Sequence, residues 1–572
     1  MKKLFGYLKR YKWYMIIGPF FKMCETILEL FNPLIVAQII DVGVRLNDTA
    51  YIIKYGIIIV VVNILSFIFS VVGQKCASLA STKISADMRK DVFQKVSTFS
   101  HAEIDKFGTA SLVNRITNDI NQVENSVGVF LRTLLRTPIL LVGAFVLSLI
   151  INKKMSLVFL VLIPLVSIIL FFYMKKTSPY YDKIRKKLDR VSTVTKENLS
   201  GTRVIRSFNK QSDEQVRFEK VSEDYTKLSI NVSKISALLD PIVFLIVDAA
   251  TIVLLMLGGW QINAGGMSQG DIIALIDYVA IITISLLMMS RIIAMFVRTN
   301  ASLKRINEVL DAVPSVKNEA NSKAYKKLEY DAIMEFNNVG FNYSRNIKDK
   351  LFIKDLSFKI YPGETIGIIG GTGSGKTTIA NLMTRFYDVT TGEILYKGKN
   401  IKEFTLEQLR QEVSIVQQRS VLFAGSLRDN MKLRNENATD EEIIEALKIS
   451  QAWPFVSEWN NGLDRQIMAG GKNVSGGQMQ RLTIARALIN NPEMIILDDS
   501  SSALDFLTDS KLRKELKKLE STLVFISQRA TSIKGADLII VLDNGEVVGM
   551  GKHNELMKNC EIYKEIYESQ AK

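Results

Sequence analysis

Six apolar stretches, each long enough to cross a lipid bilayer, fill most of the first 300 residues and leave this chain few ways to fold. They lie near residues 14–42, 53–80, 126–150, 156–175, 236–261 and 271–296. A spanning helix needs roughly 20 residues. Residues 156–173, SLVFLVLIPLVSIILFFY, carry no charge at all. Hydrocarbon offers a bare peptide group no hydrogen-bond partner, so a set of such stretches implies a bundle of helices. A mean hydropathy of +0.14 over 572 residues excludes both a disordered chain and an ordinary soluble enzyme.

A net charge of +15 invites a nucleic-acid reading, but its distribution removes it. Residues 1–320 hold 39 Lys and Arg against 25 Asp and Glu, whereas residues 321–572 hold 34 against 33. The excess belongs to the apolar half, where basic loops collect on the cytoplasmic side of a membrane. Lys2, Lys3, Lys9, Arg10 and Lys12 precede the first stretch, and Lys183, Arg185, Lys186, Lys187 and Arg190 follow the fourth. The connections near 43–50, 152–154 and 263–270 carry three positive charges between them. Both termini are therefore expected in the cytoplasm. The long connections after the second and fourth stretches read as helical extensions of the spans. Cys24, Cys76 and Cys560 are too few and too scattered for a disulfide framework or a zinc site.

Several ionisable residues fall inside the spans: Lys22, Glu25, Glu29, Asp248 and Asp277. Charge at bilayer depth is costly and faces a partner or a polar cavity. Lys22, Glu25 and Glu29 share one helix face by their spacing. That face is either a cation-attracting pathway or a structural Lys–Glu pair. Arg132 and Arg136 are expected to snorkel toward the cytoplasmic interface.

After residue 296 the sequence turns polar and mixed in charge. The expected organisation is a membrane domain over 1–311, a linker over 312–331 and an α/β domain over 332–572, where short apolar runs alternate with amphipathic segments. Gly370-Gly371-Thr372-Gly373-Ser374-Gly375-Lys376-Thr377 matches G-x4-G-K-[ST], between a strand expected at 365–369 and a helix expected at 377–386. Such a loop wraps a triphosphate in backbone N–H groups at a helix N-terminus. Lys376 is expected on the β- and γ-phosphates, Thr377 on magnesium, with Thr378 in the same set. Met494-Ile495-Ile496-Leu497-Asp498 reads as a buried strand ending in a metal-side carboxylate. Ser475-Gly476-Gly477-Gln478, opening the helix LTIARALI, forms a second anion cradle. One chain needs one phosphate loop, so the second cradle points to a nucleotide held by another subunit.

Together these motifs resemble the ATP-binding cassette family, whose LSGGQ signature appears here with Val474 in place of Leu. The resemblance spans the whole chain and implies a six-helix membrane domain with long cytoplasmic extensions, fused to an α/β P-loop ATPase. It implies ATP and Mg2+ as ligands. Tyr343 occupies the position of the ring stacked on adenine, and Gln418 that of the glutamine contacting magnesium. Residues 502–505 (SALD) stand where a loop links the two sites of a dimer. Asp119, Glu197 and Arg305 resemble recurring positions of exporter half-transporters, and residues 98–107 and 201–208 their coupling helices.

Two departures fall on catalysis. The family's water-orienting glutamate is here Asp499, one methylene shorter, and its switch histidine is Gln528. Glutamine cannot become cationic or shuttle a proton. Ala469 also replaces a glutamate common in the family. Beside an intact phosphate loop, these changes resemble the degenerate-site subunit of bacterial heterodimeric multidrug exporters. The expectation is ATP-driven export of amphipathic compounds or drugs across the cytoplasmic membrane. The partner is expected to be a second half-transporter, a heterodimer being favoured over a homodimer, and no nucleic acid is expected. Lipid or peptide export, or a nucleotide-gated regulatory subunit, are the alternatives.

Overall fold

The computed structural model describes residues 2–318, 330–344, 350–500 and 503–571. They group into two compact units: residues 1–97 with 110–311, and residues 98–109 with 312–572. Residues 319–329 of the expected linker, and Ser502 of the expected dimer loop, lie outside the described residues.

Six helical segments long and apolar enough to span a membrane build the first unit: α1 (Lys12–Val44), α2 (Thr49–Ser97), α4 (Thr109–Ile151), α5 (Leu157–Ser200), α6 (Gln211–Asn263) and α7 (Gln269–Asp311). A short helix, α3 (His101–Phe107), follows α2 in the chain. Each long helix outruns its apolar stretch, because helical periodicity continues into polar sequence. On α2, for instance, Ile84, Met88 and Val92 recur every four residues and are fully buried. The core of the unit centres on α7, whose Ala274, Leu275, Tyr278, Val279 and Ile282 pack with Phe159, Leu162 and Val166 of α5. The Tyr278 hydroxyl donates to the Leu30 carbonyl at 2.8 Å. Asp41 fixes the start of α7, accepting from Ser268 Oγ at 2.6 Å and from the Gly270 N–H at 2.8 Å. A Cβ on Gly270 would stand 2.4 Å from the Ala37 carbonyl, so only glycine fits this approach.

The charged face of α1 resolves into a network. Lys22 Nζ donates to Glu25 at 2.7 Å and to Ser70 at 3.1 Å, with Lys22 and Glu25 both buried. Arg136 reaches across from α4 to Glu29 at 2.8 Å and approaches Glu25 at 3.8 Å. Two cations meet two anions, which favours the structural pairing over a cation pathway. The snorkelling expected for Arg136 is thereby corrected: two carboxylates draw it inward. Lower on the unit, Arg305 forks onto Asp119, which also accepts from Ser302 at 2.9 Å. Glu197 accepts from Arg217 at 2.6 Å. Asp248 and Asp277 stand exposed on the unit's surface.

The second unit holds two main sheets. Strands β1 (Met334–Phe341), β2 (Ile353–Ile360), β4 (Thr391–Tyr396) and β5 (Lys399–Asn400) form an antiparallel sheet in the order β2-β1-β4-β5. Strands β3 (Thr365–Gly370), β6 (Val413–Val416), β9 (Met494–Asp498), β10 (Thr522–Ile526), β11 (Leu538–Asp543) and β12 (Glu546–Gly551) form the other, ordered β12-β11-β3-β10-β9-β6. All but β12 are parallel. A short ladder pairs β7 (Gly425–Ser426) with β8 (Gln466–Ile467). The near-continuous apolar runs of β3, β9 and β10 are those of strands buried on both faces. One core lies between the sheets around helix α8 (Lys376–Met383); the other gathers beneath helix α9 (Gly476–Leu488) and includes helix α10 (Phe506–Leu516).

Although α3 lies between two membrane helices in the chain, it packs within this second unit. Ser100 and Glu103 form its capping box, and Glu103 also accepts from the Ser315 N–H at 3.2 Å. The His101 ring stacks on Phe386 with centroids 4.2 Å apart, and Asp105 accepts from the Tyr387 hydroxyl at 2.7 Å.

Candidate nucleotide-binding site

Register fixes the site. Ile526 of β10 stands opposite Ile368 of β3 on one side and Asp498 of β9 on the other. The loops that follow these three strands therefore emerge together at the carboxyl edge of a parallel sheet, where ligands bind in such folds. The loop after β3 carries Gly370 to Gly375, the residue after β9 is Asp499, and Gln528 follows β10.

The glycines of the phosphate loop serve different ends. A Cβ on Gly370 would stand 2.2 Å from the Leu542 carbonyl, and one on Gly375 2.4 Å from Ile353 Cδ1, so these two are required by packing. Gly375, at φ 104°, also sets the left-handed cap of α8. Gly371 and Gly373 meet nothing within 4 Å and leave their backbone bare. That open cradle, at the positive end of α8, fits a chain of phosphates. Lys376 is buried beneath it and folds back, donating to the Gly370 and Gly371 carbonyls at 2.8 and 2.7 Å and to Ser374 Oγ at 3.4 Å. Burial lowers its ammonium's pKa, and the charges of Asp498 and Asp499 oppose that shift. A buried ammonium held only by neutral oxygens is poised for an anion.

Asp498 is buried at the end of β9. Burial raises its pKa; a hydrogen bond from Thr377 lowers it, Asp499 raises it further and Lys376 lowers it. A hydroxyl and a carboxylate side by side form a hard-oxygen pair of the kind that suits magnesium. Asp499 takes a left-handed backbone, φ 46°, with its N–H bound to the Ile526 carbonyl at 2.8 Å. Its carboxylate accepts from Gln418 Nε2 at 3.3 Å. The structure thus brings Thr377, Asp498, Asp499 and Gln418 together. Gln528 sits exposed at the same edge.

Tyr343 stands beside the loop, its hydroxyl 2.7 Å from Thr378 Oγ1, in an aromatic cluster with Phe341 and Tyr387. Its ring is half exposed, as an adenine platform requires. Ser475 and Gln478 satisfy each other in a capping box at the start of α9: Ser475 Oγ accepts the Gln478 N–H at 3.2 Å, and Gln478 Oε1 accepts the Ser475 N–H at 3.0 Å. Gly476 is open to solvent, but a Cβ on Gly477 would stand 3.0 Å from the Ala503 carbonyl. Gly477 thus answers first to its own chain, whereas the anion-facing reading fits Gly476. Among the described residues, no hydrogen bond joins this turn to the Gly370–Thr378 loop. Asp505 caps α10, accepting from the Thr508 N–H at 3.0 Å.

Sequence reasoning missed Gln570. Its amide accepts from the Ala530 N–H at 2.8 Å and donates to the Gln528 carbonyl at 2.7 Å, clamping the loop after β10 from the C-terminal helix. No motif marks it.

Comparisons with known proteins agree with this geometry. The family model for the ABC transporter transmembrane region matches residues 15–286, and that for the ABC transporter matches residues 353–502. The chain is 34% identical to the uncharacterized ABC transporter ATP-binding protein YfiB of Bacillus subtilis (strain 168), over 100% of this chain and 98% of that one. It is 28% identical to the ATP-dependent lipid A-core flippase of Haemophilus ducreyi, over 100% and 97%. In fold it superposes on a bacterial Atm1-family ABC exporter solved with ATP bound, at a TM-score of 0.79 with 21% identity and 99% of each chain covered. Six membrane-spanning helices fused to a parallel-sheet ATPase domain, together with a relative similar from end to end, establish that this chain belongs to the ABC transporter family.

Proposed function

We propose that this chain is one half of a heterodimeric exporter that drives amphipathic compounds across the bacterial cytoplasmic membrane, and that its own nucleotide site turns over slowly. Residues 1–311 are its membrane domain, 312–331 its linker and 332–572 its nucleotide domain, with both termini and the nucleotide domain cytoplasmic. The observation that carries the reading is the pairing of an intact phosphate loop with Asp499 and Gln528.

The site binds well and hydrolyses poorly for separate reasons. Backbone N–H groups of 371–377 and Lys376 hold the triphosphate, Tyr343 stacks on the base, and Thr377, Asp498 and Gln418 would hold magnesium. Held there, it would supply positive charge against the negative charge developing on the phosphates. Hydrolysis then needs a water aligned on the γ-phosphorus. Asp499 ends one methylene short of the glutamate its position calls for, and its carboxylate accepts from Gln418 Nε2 at 3.3 Å. A misplacement of about 1 Å costs on the order of 10²-fold. Gln528 can donate to a phosphate but brings no positive charge. Ser475, Gly476, Gly477 and Gln478 act in trans on the partner's nucleotide, which turns over at the working site.

Inside-out vesicles containing this chain and a half-transporter with glutamate and histidine at the two positions test the substrate class. They should accumulate an amphipathic dye when ATP is added. The flippase relative supports a second reading, in which the cargo is a lipid. ATP-dependent flipping of a fluorescent lipid with no dye uptake would decide for it.

A further inference from the structure

The turn that carries Gln528 is held from outside itself. It joins β10 to a short helix, Ala530–Ile533, whose N-cap residue Arg529 makes no side-chain cap. A helix this short does not persist on its own hydrogen bonds, and its leading N–H groups find no partner within it. Ala530 is fully buried, so its N–H needs one. Gln570, in the last turn of the C-terminal helix Glu561–Ala571, supplies it. Its Oε1 accepts from the Ala530 N–H at 2.8 Å, while its Nε2 donates to the Gln528 carbonyl at 2.7 Å. One amide thus meets a carbonyl and an N–H two residues apart, as a strand lying alongside would. Of side chains this long, only glutamine offers a neutral donor and acceptor together.

The C-terminal helix grips the short helix at its other end as well. Tyr567 accepts from Lys534 Nζ at 3.3 Å, just past Ile533, and Tyr563 is fully buried in the core that Ile566 and Tyr567 pack against. Nearer the sheet, the Ser527 N–H donates to the Ile368 carbonyl at 3.0 Å and the Arg529 N–H to Ser527 Oγ at 2.9 Å. One residue earlier, the Ile526 carbonyl accepts the Asp499 N–H at 2.8 Å. The backbone on both sides of Gln528 is therefore fixed, and its exposed side chain leaves from a defined point at the edge that Asp499 shares. Among the described residues no hydrogen bond joins Gln570 to the Gly370–Thr378 loop, so its effect on a nucleotide passes through Gln528.

We infer that Gln570 is a positioning residue for the terminal phosphate of ATP: by holding the backbone at 528 and 530 it aims the Gln528 side chain, and the C-terminal helix thereby sets how long this site retains a triphosphate. The inference rests on the reading above that Gln528 faces the nucleotide of this chain's own phosphate loop. It does not depend on which half-transporter is the partner. A neutral amide has no charge with which to find a phosphate, so Gln528 depends on its aim more than a cationic side chain there would.

The test follows release of two probes from the full chain in nanodiscs with magnesium: the β,γ-imido analogue of ATP, and ADP, which lacks the terminal phosphate. Gln570→Met keeps the length of the side chain and removes both hydrogen bonds. It should speed release of the ATP analogue by roughly threefold to tenfold, the worth of one hydrogen bond, and leave ADP release unchanged. Gln528→Ala should do the same, and Gln570→Met added to Gln528→Ala should change nothing further, since the two act through one contact. The melting temperature of the nucleotide-free chain should not move with Gln570→Met. Equal acceleration for both probes together with a lowered melting temperature would make Gln570 a cap of the fold and overturn the inference. An effect of Gln570→Met that persists in full beside Gln528→Ala would overturn it too. If Gln528→Ala acts and Gln570→Met does not, the inference alone fails. If Gln528→Ala is silent, Gln528 does not face the nucleotide, and the reading of the site falls with the inference. If every variant behaves as expected while the isolated chain hydrolyses ATP as fast as the complex, the positioning role stands and the slow-site heterodimer fails.

Discussion

Asp499 meets a backbone demand as well as a chemical one. At φ 46° it occupies the left-handed region, where aspartate is enriched several-fold over most residues. Asp499→Glu restores the missing methylene but places a longer chain on a strained backbone and leaves Gln528 uncharged. The single change should therefore recover less than about tenfold of hydrolysis at this site, and Gln528→His alone no more. The double variant should exceed the product of the two, since groups of one site couple by about 0.5–3 kcal/mol. Single-turnover hydrolysis at this chain's site checks it; a strictly multiplicative double variant would deny the two residues a shared role. Lys376 and Thr377 were legible in sequence because a strand–loop–helix motif places them through local backbone geometry, whereas Asp498 ends a separate strand and joins them through the register of β9, β10 and β3. Gln570 was not, because its partners at 528 and 530 are set by tertiary packing alone. Nor was the demand on Gly477, which comes from Ala503 on a separate loop.

Among the elements, α1 shows how far periodicity reaches. Spacing put Lys22, Glu25 and Glu29 on one face, but Arg136 completes the network from α4 and no sequence pattern pairs those helices. Breaking a buried pair by removing one partner costs about 3–5 kcal/mol, while replacing both is often neutral. Lys22→Met should lower the thermal stability of the full chain in detergent accordingly, and adding Glu25→Gln should recover most of it. A cation pathway predicts instead lost transport at unchanged stability. The short helix α3 offers a second test. Burial lowers the His101 pKa, with Arg410 adding to the shift and Asp105 opposing it. His101 thus packs neutral on Phe386, while the released helix binds a proton at the ordinary value of 6.5. Its contribution is complete above that pH and is lost as pH falls through the lowered value. Hydrogen exchange over residues 98–109 should quicken on acidification, and His101→Phe, which keeps the stacked ring, should flatten the dependence. An unchanged profile in that variant would assign the effect elsewhere.

For the whole molecule, the sequence was most informative where physics is most restrictive. Six apolar stretches permit little but a helical bundle, and the alternation after residue 334 permits little but a layered sheet, so both architectures were legible early. What sequence leaves open is which surfaces meet a second chain, since that depends on charges gathered from several elements. The assignment of working and slow sites bears on this directly, and two substitutions separate it from its reverse. Lys376→Ala strips the buried ammonium from this chain's own phosphate loop, so it should weaken nucleotide retention there and cost the complex little turnover. Gly476→Asp acts where a side chain meets nothing of its own domain, so it should spare folding. On the proposed reading it sets a carboxylate against phosphates held by the partner. Losing one preorganised donor to a transition-state anion costs about 10²–10³ in rate, and an added negative charge should cost no less. ATPase of the assembled complex should therefore fall at least about 10²-fold with Gly476→Asp and by less than about tenfold with Lys376→Ala. Gly477→Asp is the poorer probe, because its side chain would press on the Ala503 carbonyl and disturb the loop before α10. If Lys376→Ala silences the complex while Gly476→Asp leaves it active, the catalytic site is this chain's own, and Asp499 and Gln528 suffice for hydrolysis.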